Sequence, residues 1–311
     1  MPYLGLDLGT SGAKAVLVDD DGTVLGRSRS DYPTAAPGPG RAEQSLADWR
    51  VAVASVVANL GRLGPIRAVA VAGHTPSLVP VGEDREETHP TLTWQDVRAT
   101  KEAAELAEHF GPEQDLVGGR LPWSPAYLPA KLLWLARAGL RGTRHLLQPK
   151  DAINFCLTGV AATDIWSSKG LCRIDDGATV EALFEHAGVD QVLLPRRCVP
   201  TEPLGAVDDV GAAWSGLPAG IPVGVGWSDA LSGMLAVGAF TGPQAFVLTG
   251  TSDIAGASGP DRPTPDSLLH VPLSCAPLPV SYGPTQTSGA ALLWLAELLN
   301  RPVSDVLAAG L

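Results

Sequence analysis

Two stretches far apart in the chain constrain its fold more than any other feature. The first, YLGLDLGTSGAKAVLVDDDG (Tyr3–Gly22), has two apolar, strand-like runs around Gly9, Thr10, Ser11 and Gly12, with an Asp-rich turn at its end. The second closes another apolar run with Leu248-Thr249-Gly250-Thr251-Ser252-Asp253. Apolar runs bounded by Gly and small polar residues read as β-hairpins. Their repetition predicts two related domains joined near Gly238, spanning 1–238 and 239–311, the second far shorter than the first. The first hairpin also places Asp7 inside an apolar strand, where a carboxylate is costly unless something uses or pairs it.

Between the hairpins, helical and strand-like patterns alternate, which predicts an α/β layer architecture. EQSLADWRVAVASVVANLG reads as a helix with Ser45 as N-cap and Gly61 as its stop, and IRAVAVAG as a short buried strand ending at His74-Thr75-Pro76. THPTLTWQD is strand-like, and ATKEAAELAEHFG and PAKLLWLARAG are helical. A helix is expected from Leu146 to Thr158, closed by Gly159, and another over Ala178–Gly188. GIPVGVGWSDALSGMLAVGAFTGPQAFVLTGTSDIAG then reads as strand, turn, helix and hairpin, and QTSGAALLWLAELLN as a helix starting at Ser288 and Gly289.

Composition removes several classes of function. The chain has 311 residues, 45% hydrophobic and 18% charged, with a formal charge of −11, so it can fill real cores and lacks the basic face of a nucleic-acid binder. No apolar run reaches the ~18 residues of a spanning helix, and the N-terminus has no signal-peptide pattern. Cys156, Cys172, Cys198 and Cys275 are scattered with no CxxC pair, which favours buried or free thiols over disulfides. A cytoplasmic protein is expected, with no membrane and no nucleic-acid partner.

Turns rich in Gly, Thr and Ser let backbone N–H groups approach an oxyanion, and their hydroxyls add donors. Many hairpins use the same residues only for turn geometry, but a pair of such turns could grip a polyphosphate from opposite sides of a cleft. Asp7 then has a task, since Mg²⁺ is commonly held by one carboxylate, waters and substrate phosphates; pairing with Lys14 or capping nearby amides is the structural alternative. Asp229 in GWSDALSG precedes a helix, where it could take a proton from a substrate hydroxyl or act as an ordinary N-cap. Trp94 and Asp96 in TWQDVRA suit a polyhydroxy ligand, although Asp96 could equally pair with Arg98. His74 could donate to a sugar oxygen or be structural.

With these residues in view, the chain resembles the FGGY carbohydrate kinases, a family with the actin-like ATPase (ribonuclease H-like) fold. DLGTSGAKAVLVD resembles the family's first phosphate loop and LTGTSD its second, while TWQDVRA is similar to its W-x-D-x-R segment and PAKLLWL to its P-K-L-x-W helix. LLQPKDAINFCLTGVAATDIWSSKG resembles the stretch LPKDYLRxRLTGxxxTDxSxAS, and GVGWSDALSGMLAVGA the segment carrying the catalytic aspartate. The resemblance implies an α/β chain with a complete first domain and a partial second one, acting on a small sugar or polyol with ATP and Mg²⁺. It implies Asp229 as general base, also near the substrate, and Asp7 on Mg²⁺. It further implies Gly9, Thr10, Ser11 and Lys14 on the transferred phosphate, Thr249, Gly250 and Thr251 on the nucleotide phosphates, and Gly289 beside the nucleotide. His74, Thr75, Trp94 and Asp96 fall to the sugar. A ketopentose such as xylulose is favoured, although xylulokinases usually carry Q-M-H-G where this chain has His74-Thr75-Pro76-Ser77.

Family members run longer than this chain, and the expectation is that the adenine-receiving part of the second domain is missing. Two other readings follow: a non-catalytic or regulatory sugar-binding protein derived from such a kinase, and an actin-like ATPase of the chaperone or filament class. The intact phosphate grip and base count against the first, and TWQD against the second. Surface left bare by a shortened second domain would favour a homodimer.

Overall fold

The structure is a computed structural model that describes residues 1–61, 64–285 and 287–310. It divides into two units, Met1–Asp229 and Ala230–Leu311, a boundary slightly earlier than the one expected at Gly238.

The first unit is built on a six-stranded mixed sheet. Its strands run in the order Pro203–Ala206, Pro222–Gly224, Ala68–Gly73, β1 (Tyr3–Leu8), β2 (Gly12–Val18) and β3 (Val24–Asp31). β1 is antiparallel to β2 and parallel to Ala68–Gly73, which is in turn parallel to Pro222–Gly224. Three neighbouring strands therefore end at the same edge. In β1 the period of two puts Leu4, Leu6 and Leu8 into the core, while Asp7 points to the other face and is 35% exposed. The sequence expectation of a buried aspartate is met in part: Asp7 Oδ1 is enclosed while the side chain as a whole is half-buried.

Helix α1 (Leu46–Asn59) covers the core face with Leu46, Trp49, Ala52, Val53, Val56 and Val57, each large side chain stabilising the unit by roughly 1.5–3 kcal/mol. Ser45 caps it as expected, accepting from the Ala47 amide. Glu87 adds a second cap, taking the Leu46 amide at 2.9 Å and the Ser45 hydroxyl at 2.6 Å. The helix expected from Leu146 begins at Pro149 and ends at Thr158, with Gly159 at φ +69° closing it. Leu146 and Leu147 are drawn instead into a strand against Val79–Val81. The Ala178–Gly188 helix is shortened to Glu181–Ala187, and of THPTLTWQD only Thr91–Leu92 is strand.

The second unit holds a four-stranded antiparallel sheet, in the order Ala245–Leu248, Ile254–Ser258, Val280–Pro284, Leu269–Val271. Its expected hairpin is the pair Ala245–Leu248 and Ile254–Ser258, and its expected terminal helix spans Gly289–Leu298. Gln286, at the head of the QTSG stretch, lies outside the described residues.

Candidate active site

The parallel strands of the first unit deliver three groups of site residues at their carboxyl ends, the edge at which α/β sheets bind ligands. β1 runs into Gly9-Thr10-Ser11. Ala68–Gly73 runs into His74-Thr75, and the His74 amide donates to Leu8 O at 3.0 Å. The third parallel strand leads to Ser228 and Asp229, and Ser228 bridges back to Gly73. Asp229 is the first residue of the helix Asp229–Ala236.

Within the first turn, the Gly9 amide bonds to Gly12 O at 3.1 Å. Gly12 is required by close packing, since a Cβ there would stand 2.7 Å from both Ser30 O and the Asp31 carboxylate. Lys14 lies opposite Asp7 across the ladder and its Nζ is 3.4 Å from Asp7 Oδ2, so the pairing alternative is realised on one oxygen. Asp7 Oδ1 is buried and has no hydrogen-bond partner.

The turn is braced by Tyr32, which drew no attention in the sequence, and by Trp94, which the sequence assigned to the sugar. The Tyr32 hydroxyl donates to Gly9 O, and the Trp94 indole to Thr10 Oγ1 at 2.9 Å. Burial raises the Tyr32 phenol pKa, and the charges of Asp7 and Asp229 raise it further. Both carboxylates therefore act on the same phenol.

Gln44 is the centre of this bracing. Its Nε2 donates to Thr10 O at 2.7 Å and Thr34 Oγ1 at 2.7 Å, and its Oε1 faces Trp49 Nε1 at 3.2 Å and His74 Nε2 at 3.1 Å. Indole N–H can only donate, which fixes Oε1 as the acceptor and His74 Nε2 as a donor. The opposite ring nitrogen, Nδ1, then accepts from the Ser77 hydroxyl at 2.8 Å. Burial, with the Lys131 charge adding to it, lowers the His74 pKa to about 3, so the ring is neutral, as this pattern requires. His74 is 1% exposed and both nitrogens are engaged inside the protein. It braces the loop from behind, while Thr75 and Trp94 remain partly exposed.

Asp96 has a similar place. Fully buried, it accepts from the Ala42 amide at 2.7 Å and from the Arg98 guanidinium at 2.6 Å. Of its two sequence alternatives the structure displays the ion pair, and Arg98 also reaches Glu43 at 2.6 Å.

The strand end that precedes Asp229 is held by a buried polar cluster. Lys150 and Asn154, on the Pro149–Thr158 helix, donate to Val225 O at 3.3 and 2.9 Å. Lys150 is ion-paired with Asp151 at 2.5 Å and Asp164 at 3.0 Å, all three essentially unexposed. Burial opposes the Lys150 charge, but the two carboxylates outweigh it and raise its pKa. Gly226 follows at φ +77°, with the place of a Cβ only 2.0 Å from Val71 O.

In the second unit, the sequence-matched residues form their own cluster. Gly289 N donates to Gly250 O at 3.1 Å, and the Ser288 and Ala290 amides to Thr251 O at 3.0 and 3.2 Å. A Cβ on Gly289 would lie 2.4 Å from Gly250 O, so only glycine lets the helix start against the loop. Asp253 completes it, taking the Ser288 hydroxyl at 2.6 Å. Thr249 and Gly250 are exposed.

Among the described residues no group of three or more His, Cys, Asp or Glu side chains could hold a metal by itself, and no helix is long and apolar enough to cross a membrane. One buried carboxylate oxygen without a hydrogen-bond partner, at the end of β1 just before the Gly9–Ser11 turn, fits a Mg²⁺ held mostly by water and phosphate oxygens.

Comparison with known proteins agrees with this layout. A xylulose kinase of Lactococcus lactis is 27% identical over 97% of this chain and 62% of its own length. One of Escherichia coli is 27% identical over 95% of this chain and 63% of its own. The solved xylulose kinase of Rhodospirillum rubrum superimposes with a TM-score of 0.84 at 26% identity, covering 96% of this chain and 64% of its own. The chain thus spans less than two thirds of the length of these relatives. Residues 2–236 match the N-terminal domain of the FGGY family of carbohydrate kinases, and the chain belongs to that family.

Proposed function

We propose that the chain supplies the acceptor site, the general base and the phosphate-gripping turns of an ATP-dependent kinase for a small sugar or polyol, with xylulose the favoured acceptor. The observation that carries this reading is the convergence of Asp229, Asp7 and the Gly9–Ser11 turn around Tyr32 at one sheet edge. The names of the relatives support the ketopentose.

In this reading Thr75 and Trp94 contact the acceptor, with His74 and Asp96 holding their loops from behind. Asp229 accepts the proton of the acceptor hydroxyl as its oxygen attacks the terminal phosphorus of ATP, and ADP leaves. The amides of Gly9–Ser11 and the Lys14 ammonium donate to the transferred phosphoryl oxygens, the positioning and neutralisation that phosphoryl transfer chiefly needs. Thr249, Gly250 and Thr251 hold nucleotide phosphates, with Gly289 behind them. Asp7 would hold Mg²⁺ through Oδ1, and the bound cation would neutralise and orient phosphate oxygens.

The test is a coupled ADP-release screen over ketopentoses, polyols and aldonates, run on the wild-type chain and Asp229→Ala. Loss of a general base lowers turnover by about 10²–10⁴-fold, with acceptor binding largely kept. Near-normal turnover in Asp229→Ala removes Asp229 from the role. Binding of both acceptor and ATP by the wild-type chain without any ADP release would mark it as a sugar-binding protein instead.

A further inference from the structure

The helix Leu128–Ala138 carries a lysine with no part in the chemistry above. Lys131 is 0% exposed, in a segment whose other inward residues are Leu128, Leu132, Leu133 and Leu135. A buried ammonium is costly unless its hydrogen bonds are made. Its Nζ makes two, to Pro76 O at 2.8 Å and Thr93 O at 2.7 Å. Those carbonyls belong to the two loops that bear Thr75 and Trp94.

Each loop also has its own anchor. The His74 amide is fastened to Leu8 O, and the Ser77 amide to Gln148 Oε1 at 3.1 Å. Thr93 bonds to Ala42 O through both its amide and its hydroxyl, at 3.1 and 2.9 Å. At the base of the loops the Leu78 and Leu92 amides each bond the other residue's carbonyl, at 2.9 and 3.2 Å; the Lys131 ammonium carries the tie beyond that base, from Thr93 out to Pro76. We propose that Lys131 is a positioning residue that ties the His74–Ser77 loop to the Thr93–Asp96 loop and so sets the width of the acceptor site.

Charge is secondary to this role. Burial pulls the Lys131 pKa down to about 7; Asp96 acts to raise it, and Arg98 and Lys169 to lower it. A neutral amine keeps two N–H groups, one for each carbonyl, so the tie persists in either protonation state. Methionine in its place would fill the volume, leave Pro76 O without its Lys131 donor and leave Thr93 O with the Asp96 amide at 3.0 Å.

The acceptor part of this inference rests on the sugar-kinase reading, whereas the tie itself does not. Lys131→Met, Lys131→Arg and the wild-type chain are compared by amide hydrogen exchange and by equilibrium binding of D-xylulose. In Lys131→Met, exchange over 74–78 and 93–98 is expected to rise about tenfold, the loss of one net buried hydrogen bond or more, while β1 and α1 are unchanged. D-Xylulose affinity should fall by about the same factor, and Lys131→Arg, which keeps the donors, should recover part of both. Unchanged exchange in both segments of Lys131→Met overturns the tie. Altered exchange with unchanged xylulose affinity overturns its role at the acceptor site.

Should Lys131→Met not fold, the wild-type chain decides: scalar couplings from Lys131 ¹⁵Nζ to the carbonyl carbons of Pro76 and Thr93 support the tie, and their absence overturns it. A wild-type chain that binds no ketopentose, polyol or aldonate overturns the sugar reading and the acceptor role together. The exchange and coupling data still judge the tie.

Discussion

The turn at Gly9–Ser11 is braced by side chains sent from distant parts of the first unit: Tyr32, Gln44 and Trp94 each reach a turn atom. The turn at Thr249–Asp253 is braced chiefly by main chain, through the amides of Ser288, Gly289 and Ala290 at the start of one helix. Similar Gly, Thr and Ser residues thus stand on different supports. Side-chain bracing couples the first turn to the loop after Ala68–Gly73, because Gln44 bonds to Thr10 and His74 at once. Main-chain bracing makes the second turn depend on how closely a helix can approach, and hence on a missing Cβ.

Breaking the first support should have the larger effect. Gln44→Leu leaves the buried Trp49 and His74 N–H groups without an acceptor, and such orphans cost about 1–3 kcal/mol each. A loss of about 3 kcal/mol is expected in denaturant unfolding of the first unit, with weaker acceptor binding. A change under about 0.5 kcal/mol, the usual range of a surface substitution, would sink the bracing role. Gly289→Ala attacks the second support by pushing a Cβ against Gly250 O. It should cost about 1–3 kcal/mol and weaken binding of a non-hydrolysable ATP analogue, leaving acceptor affinity intact. Equal loss of both affinities would contradict separate supports.

His74 sharpens the comparison through pH. Its folded pKa, about 3, lies below the ordinary value near 6.5. Between the two, the unfolded chain binds a proton that the folded chain refuses. Stability from this group is therefore complete above pH 6.5 and declines as pH falls toward 3, by up to about 1.4 kcal/mol per pH unit. His74→Gln removes the titration but keeps a donor for Gln44. The stability gap between wild type and variant should shift in the variant's favour from pH 7 to pH 4. A gap that stays constant with pH rules out the neutral buried ring.

The hairpins, the helix at Leu46–Asn59 and the strand at Ala68–Gly73 were legible because each shows its own period and punctuation. Short pieces without a period, such as Pro203–Ala206 and Leu269–Val271, were not. Around the candidate site, the Gly-rich turns beside Asp7, Thr10, Asp229 and Gly289 were legible as turns. Gln44 was not, since a glutamine ahead of a helix cap has no local signal, and its four bonds exist only once three segments meet. Lys131 sat in a quoted motif, but its role depends on two carbonyls that no side-chain pattern records. His74 and Asp96 were picked out as polar residues near a strand end. Their burial behind the loops is tertiary information.

The smallest effect on stability, and the clearest contrast between the units, concerns the helix that supports the second turn. In the first unit α1 turns its apolar side inward and is covered. In the helix Gly289–Leu298 only Ala296 is buried, and Leu293, Trp294 and Leu298 are 57%, 62% and 65% exposed. A helix apolar on all sides is normally an interior one, and a bare patch of this kind promotes association. The 311-residue chain should therefore form dimers or larger species in sedimentation velocity, in a concentration-dependent way. Leu293→Gln combined with Leu298→Gln should shift it to monomer while changing unfolding free energy by no more than about 0.5 kcal/mol per site. Because both residues lie beyond the first turn of the helix, Gly289 and its bond to Gly250 should be undisturbed and nucleotide-analogue binding retained. A wild-type chain that sediments as a monomer at high concentration, or a variant that associates equally well, would show that this face does not drive assembly.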